Sequence, residues 1–348
     1  MNFRRRKILK RMLLFVLLIV GALAFIYRDL ISYGVSQAKG QLHIVWNARP
    51  VAQFMADPLF PDSLKRKLML IDEVRAFAID SLGLKDTRNY QTLYDQKGKE
   101  VMWVVTASER FRLEPYKWHF PILGALPYKG FFNEKSAAEL ADRLSDEGWD
   151  VNVRNPGGWS TLGWFTDPIL SKMLEKDEGD LASLIIHEMV HATIFVKDSI
   201  EFNENLASFI GDRGAEAFLI SRYGAGSEPY KTFIDDDHDY ALFVEHVLKG
   251  TRFLDSLYSV IGERPVSEKT QLKEAMISRI VHTMDTLKLN SGRKPTRRFR
   301  DKLPNNAYFM SYIHYQSGQQ ELRKEWEEKF DRDLRSYVVY LSGRYPFL

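Results

Sequence analysis

Three residues in one short stretch have the types and spacing for metal-assisted hydrolysis. They are His187, Glu188 and His191, set in the run Leu184-Ile185-Ile186-His187-Glu188-Met189-Val190-His191. On an α-helix each residue turns the side chain by about 100°. Histidines four apart therefore project from one face, one turn apart. Two neutral imidazoles held in that way can both reach one Zn²⁺ at about 2.0–2.1 Å. Glu188, beside the first histidine, is placed to take a proton from water that the metal activates. A bare match to His-Glu-x-x-His is a weak signal, so its surroundings matter. Leu181, Leu184, Ile185, Ile186, Met189, Val190, Ile194 and Phe195 clothe the helix nearly all round, which marks it as buried. Buried histidines and a buried glutamate need partners, and a metal with its water satisfies all three. Asp180 is the expected N-cap.

A third ligand is expected from the next helical pattern, residues 202–223, which Gly224 stops. If the first helix ends near Val196 and the second begins near Glu201, a short polar loop makes them antiparallel neighbours. His191 then lies about one turn from the end of one helix and Glu204 about one turn into the next. Ser208, Gly211 and Ala215 continue the Glu204 face with small residues, so the two backbones can approach closely. Glu201, Asp212 and Glu216 are rival ligands, less well placed than Glu204.

The elements around this pair are mixed. Helical periodicity covers residues 30–82, with Asp62 as a cap for its later part. Residues 100–107 and 150–154 read as strands, with a helix over 136–147 between them. Residues 118–128 form a loop or broken strand punctuated by Pro121, Gly124 and Pro127, and His119 there is read as structural. Pro156-Gly157-Gly158 is a turn, and residues 159–165 its hairpin partner. Beyond the metal helices, residues 240–257, 269–287 and 318–340 are helical. The run Asp235-Asp236-Asp237-His238-Asp239 fits no calcium loop and reads as a solvated, helix-capping segment. The basic loop around Arg293, Lys294, Arg297, Arg298 and Arg300 reads as solvated.

His-Glu-x-x-His followed by Asn203-Glu204 resembles the gluzincin metallopeptidases, whose type member is thermolysin. The stretch from Ser160 to Pro168, the His187 motif and Phe202-Asn203-Glu204 are together similar to a bacterial family of aminopeptidases, over residues 33–306. The resemblance implies a zinc-dependent peptidase, membrane-associated or exported. It also implies an edge strand before the metal helix that pairs with the substrate backbone. Gly163 would allow close approach there, while Trp159, Ser160 and Trp164 would line the substrate. Asn305-Asn306-Ala307 matches the family as well, and places Asn306 among the substrate-binding candidates. Tyr312 or His314, just beyond, could donate to the oxyanion of a tetrahedral intermediate. Two features depart from thermolysin. Ser208 stands where that enzyme carries an aspartate that orients a ligand histidine, and the histidine-to-glutamate spacing is shorter.

Composition narrows the rest. The chain has 348 residues, no cysteine and a net charge of +3. Disulfides, thiolate metal sites and cysteine nucleophiles are excluded, and nothing global points to nucleic acid. Arg4, Arg5, Arg6, Lys7, Lys10 and Arg11 precede a charge-free run at residues 12–27. That pattern predicts a cytoplasmic basic segment (1–11), a membrane-spanning anchor or signal peptide (12–27) and a zincin-like peptidase domain (28–348). The domain would face the periplasm or exterior from a bacterial inner membrane.

The expected fold is therefore α+β and mostly helical: a zincin-like catalytic domain behind an N-terminal transmembrane helix. The expected function is a Zn²⁺ aminopeptidase acting on peptides, with Glu188 as general base. A membrane-tethered endopeptidase and a non-catalytic envelope scaffold with a structural zinc are the alternatives.

Overall fold

The computed structural model describes residues 3–120, 124–156, 166–197, 199–316 and 318–345. The chain divides into two compact units, Met1–Asn47 and Ala48–Leu348. The first contains α1 (Phe3–Ile26) and α2 (Arg28–Asn47). In the second, chain order runs β1 (Arg49–Pro50), α3 (Val51–Ala56), α4 (Asp62–Asp80), β2 (Thr92–Tyr94), β3 (Trp103–Ser108), β4 (Trp118–Phe120), β5 (Gly124–Leu126) and β6 (Tyr128–Phe131). It continues with α5 (Glu134–Asp146), β7 (Asp150–Arg154), β8 (Ile169–Leu170), α6 (Glu178–His191), α7 (Ile200–Tyr223) and α8 (Glu228–Ile261). The last helices are α9 (Val266–Thr283), α10 (Asn306–Gln316), α11 (Gln319–Phe330) and α12 (Leu334–Arg344). The class is α+β and mostly helical, as its periodicities require.

The expectation of a membrane anchor is overturned. Among the described residues no helix is long and apolar enough to cross a membrane. The basic residues occupy the first turns of α1. Its charge-free remainder, residues 12–26, spans only about 22 Å at 1.5 Å per residue, against about 30 Å of hydrocarbon. The predicted transmembrane helix is corrected on this ground, and with it the inner-membrane location and the membrane tether.

The strands form small sheets. β3 is central to one, antiparallel to β6 and β7, with Val105 opposite Lys129 and Val153. β2 pairs antiparallel with β1 and parallel with β8, so Leu93 lies opposite Ile169 on the strand that precedes α6. β4 and β5 make a hairpin. The segment at 159–165, expected as a substrate-pairing strand, lies outside the described residues, as do Trp159, Ser160, Gly163 and Trp164.

The core that holds the site is helical. Ile71, Val74 and Ala78 of α4 and Leu181, Ile185 and Ile186 of α6 are fully buried. So are Ala207, Ile210, Ala215 and Leu219 of α7. Gly211 sets how closely α6 and α7 approach. A Cβ there would sit 2.9 Å from the Ser183 carbonyl oxygen and 3.2 Å from His187 Cβ. Any larger residue would wedge α6 and α7 apart. A second apolar cluster joins α8, α9 and α10 through Val247, Leu254, Ile280, Met284 and Phe309.

Candidate metal centre

His191 is the last residue of α6, five positions earlier than the sequence pattern suggests. The helix stops because Thr193 N–H and Ile194 N–H both turn back to the Val190 carbonyl (2.9 and 2.8 Å). Thr193 Oγ1 donates to the Met189 carbonyl at 2.8 Å. The connection to α7 is then clamped by one side chain. Asn203 Oδ1 accepts from Val196 N–H at 2.9 Å, and its Nδ2 donates to the Val196 carbonyl at 2.8 Å. The clamp fixes the register of α7, and the next residue is Glu204.

Three donors converge as a result. His187 Nε2 lies 3.1 Å from His191 Nε2. One Glu204 carboxylate oxygen is 3.6 Å from His187 Nε2, and the other is 3.6 Å from His191 Nε2. Tetrahedral donors about 2.1 Å from a common centre stand about 3.4 Å apart, so this spacing fits one small divalent cation. Among the described residues, His187, His191 and Glu204 are the group of such donors close enough to share an ion. The rival carboxylates are engaged elsewhere or exposed. Asp212 accepts from Ser183 Oγ at 2.7 Å, Glu216 pairs with Arg213, and Glu201 is exposed.

The electrostatics favour positive charge at this point. Burial opposes ionisation of Glu204, yet the adjacent His187 and His191 imidazoles outweigh it and hold the carboxyl well below the usual carboxylate range. Burial opposes protonation of His187, but Glu204, Glu188 and Asp212 raise it above its ordinary value. Ser208 Oγ lies 3.5 Å from His187 Nδ1, on the side of the ring away from the other donors. Glu188 is buried, and burial raises its carboxyl against the opposing pull of His187 and His191. Its Oε2 has no hydrogen-bond partner. Burial likewise pushes the Asp212 carboxyl up to about 6.

A family model described as "Putative aminopeptidase" matches residues 32–342. The chain belongs to this family. No curated protein and no solved structure matches it. Membership of an aminopeptidase family supports peptidase activity and a peptide substrate.

In this aminopeptidase family member Asn306 and Tyr312, two of the other candidates, have hydrogen-bond partners outside the three donors. Asn306 is fully buried, and its amide is taken up by loop carbonyls and a phenol. Its Nδ2 donates to the Glu109 and Arg110 carbonyls (2.9 and 3.2 Å), and its Oδ1 accepts from Tyr258 at 2.7 Å. Tyr312 shares a 3.1 Å hydrogen bond with Tyr308 and packs its ring on Phe243. His314 lies on α10, and its side chain is outside the described residues. Two cavities, of about 320 Å³ beside Lys172 and about 840 Å³ beside Trp149 and Tyr258, are lined by none of the triad.

Sequence reasoning read Asn203 only as part of a motif. Its clamp on Val196 spans seven residues, and an asparagine just inside a predicted helix start is the signal that could have exposed it. Replacing Asn203 by Ala removes both clamp bonds, a loss of about 1–3 kcal/mol. The expected outcome is a lower melting temperature together with about 10- to 100-fold weaker metal binding, as for other groups that orient ligands. Thermal melting and competition with a chromogenic chelator measure the two effects.

Proposed function

We propose that the chain is a zinc-dependent aminopeptidase in which His187, His191 and Glu204 hold the metal and Glu188 is the general base. The observation that carries this reading is the convergence of three donors beside a buried, raised carboxyl. Two imidazoles and a carboxylate are a donor set typical of catalytic zinc, which leaves a coordination position open. A cation held there supplies Lewis acidity toward water and a peptide carbonyl.

The chain's own residues do the rest. The Glu188 carboxylate takes a proton from the attacking water and passes it to the amine that leaves. A raised carboxyl suits that task, since the same group must accept and then release the proton near neutral pH. The Glu204 carboxylate remains ionised and neutralises part of the metal's charge. A structural zinc would call for a fourth protein ligand. Asp212, a rival carboxylate on α7, is held by Ser183 instead, which supports the catalytic reading.

Hydrolysis of a short peptide by the purified full chain tests the proposal, with and without a chelator. The peptide is supplied with a free and with an acetylated amino terminus. Chelation is expected to abolish cleavage and zinc to restore it. Acetylation is expected to abolish cleavage as well. Equal cleavage of both peptides would instead establish an endopeptidase, and chelator-insensitive cleavage would remove the metal from the chemistry.

A further inference from the structure

The proposed chemistry puts one donor at the weakest point of a helix. His191 is the last residue of α6, whereas His187 and Glu204 lie inside their helices. The last turn of a helix carries carbonyls without intrahelical partners, and helix ends fray first. An imidazole that must sit within about 0.2 Å of its ideal distance from an ion therefore needs the turn beyond it to be fixed.

Thr193, two residues on, closes that turn. In a continuing helix its N–H would donate to the Met189 carbonyl. It donates to the Val190 carbonyl instead, at 2.9 Å. The carbonyl of the buried Met189 is met by the Thr193 hydroxyl, at 2.8 Å. The same hydroxyl oxygen accepts Lys85 N–H at 3.0 Å, a bond closed over 108 residues. One buried hydroxyl is thus used in both directions, once within the turn and once from outside it.

The outside partner is itself anchored. α4 ends in a turn where Gly83, at φ +77°, and Leu84 donate their N–H groups to the Ile79 and Ala78 carbonyls (3.2 and 3.0 Å). Leu82 and Leu84 are buried. A Cβ at Gly214 would sit 2.9 Å from Leu82 Cδ1 and 3.0 Å from Ile186 Cδ1, so Leu82 packs on α7 where α7 meets α6. Residues 82–85 therefore reach both helices, α7 through Leu82 and the end of α6 through Lys85.

We propose that Thr193 is a positioning residue for His191: its hydroxyl ties the turn beyond α6 to residues 82–85 and so holds the imidazole where His187 and Glu204 can share an ion with it. This inference rests on the metal reading above. Bulk at position 193 does not supply the effect, because valine has the shape of threonine without the hydroxyl.

Two measurements on the full chain test it: zinc affinity by competition with a chromogenic chelator, well below the melting temperature, and thermal melting of the metal-free protein. The proteins are wild type, T193V, T193S and V247A. Val247 is buried in the separate apolar cluster of α8, α9 and α10, so V247A reports lost stability alone. T193V leaves the Met189 carbonyl and Lys85 N–H without their partner, and is expected to melt about 2–6 °C lower. It is also expected to bind zinc about 10- to 100-fold more weakly. T193S keeps the hydroxyl and is expected to bind zinc as wild type does. V247A is expected to melt lower with zinc affinity unchanged. If T193V does not fold, T193A, which also lacks the hydroxyl, carries the same expectation. Zinc affinity in T193V equal to wild type would overturn the positioning role, whatever its melting temperature. An equal loss of affinity in V247A would overturn it too, by tracing the loss to stability. A wild-type chain that binds no zinc would overturn the metal reading as well, so the wild type tells the two failures apart.

Discussion

Replacing Glu188 by Gln leaves the metal bound and lowers kcat by about a hundredfold or more, the contribution expected of a general base. Glutamine has nearly the shape of glutamate but does not accept the water's proton. Glu188 is not among the three converging donors, so its loss subtracts no ligand. The same change relieves the penalty of ionising a carboxyl that burial disfavours, so the fold should tolerate it. Metal analysis after dialysis and steady-state kinetics on one peptide check the two halves. Wild-type turnover in E188Q would assign the proton transfer to another group. Loss of metal in E188Q would make Glu188 part of the binding site.

Replacing Glu204 by Ala has the opposite signature. Two imidazoles remain, 3.1 Å apart at their Nε2 atoms, but the charged donor that faces both of them is gone. Metal affinity is expected to fall about a hundredfold or more, beyond the 10- to 100-fold typical of a residue that only orients a ligand. Dialysis should then strip the variant, and activity should return only at high added zinc. Glu204→Gln retains an oxygen donor without the charge and should lie between wild type and Ala. Titration with a competing chelator ranks the three proteins. An Ala variant that keeps stoichiometric metal would show that another carboxylate, Asp212 foremost, can move into the ligand set.

Much of this centre could be read along the chain. The histidine spacing and the apolar flanks of residues 181–195 needed only helical geometry. The choice of Glu204 needed one further assumption, a short connection between antiparallel helices. The connection is longer than that, since α6 ends at His191 rather than Val196, and Asn203 folds it back on Val196 so that the three donors still converge. Other features were misread where their partners are remote. The acidic run at 235–239 is neither a cap nor a free solvated stretch. It lies inside α8, where Asp239 accepts from Asn290 N–H and Ser291 N–H, Asp237 pairs with Arg213 and Asp235 accepts from Asn290. The last predicted helix is two helices. Asp331 and Arg332, both at positive φ, turn the chain between α11 and α12.

What the sequence determined by itself is the identity and local spacing of the donors, because helical periodicity is a property of neighbouring residues. It also settled the absence of any thiol chemistry. Tertiary structure alone decided that Asn203 folds the connection back so that Glu204 reaches the two imidazoles, and that Asp212 is held away by Ser183. Ser183 and Asp212 are far apart in the chain, and no pattern of period 2 or 3.6 records a hydrogen bond closed over that distance. The approach of α6 to α7 over Gly211 follows from packing, and packing is specified only when the whole core is assembled.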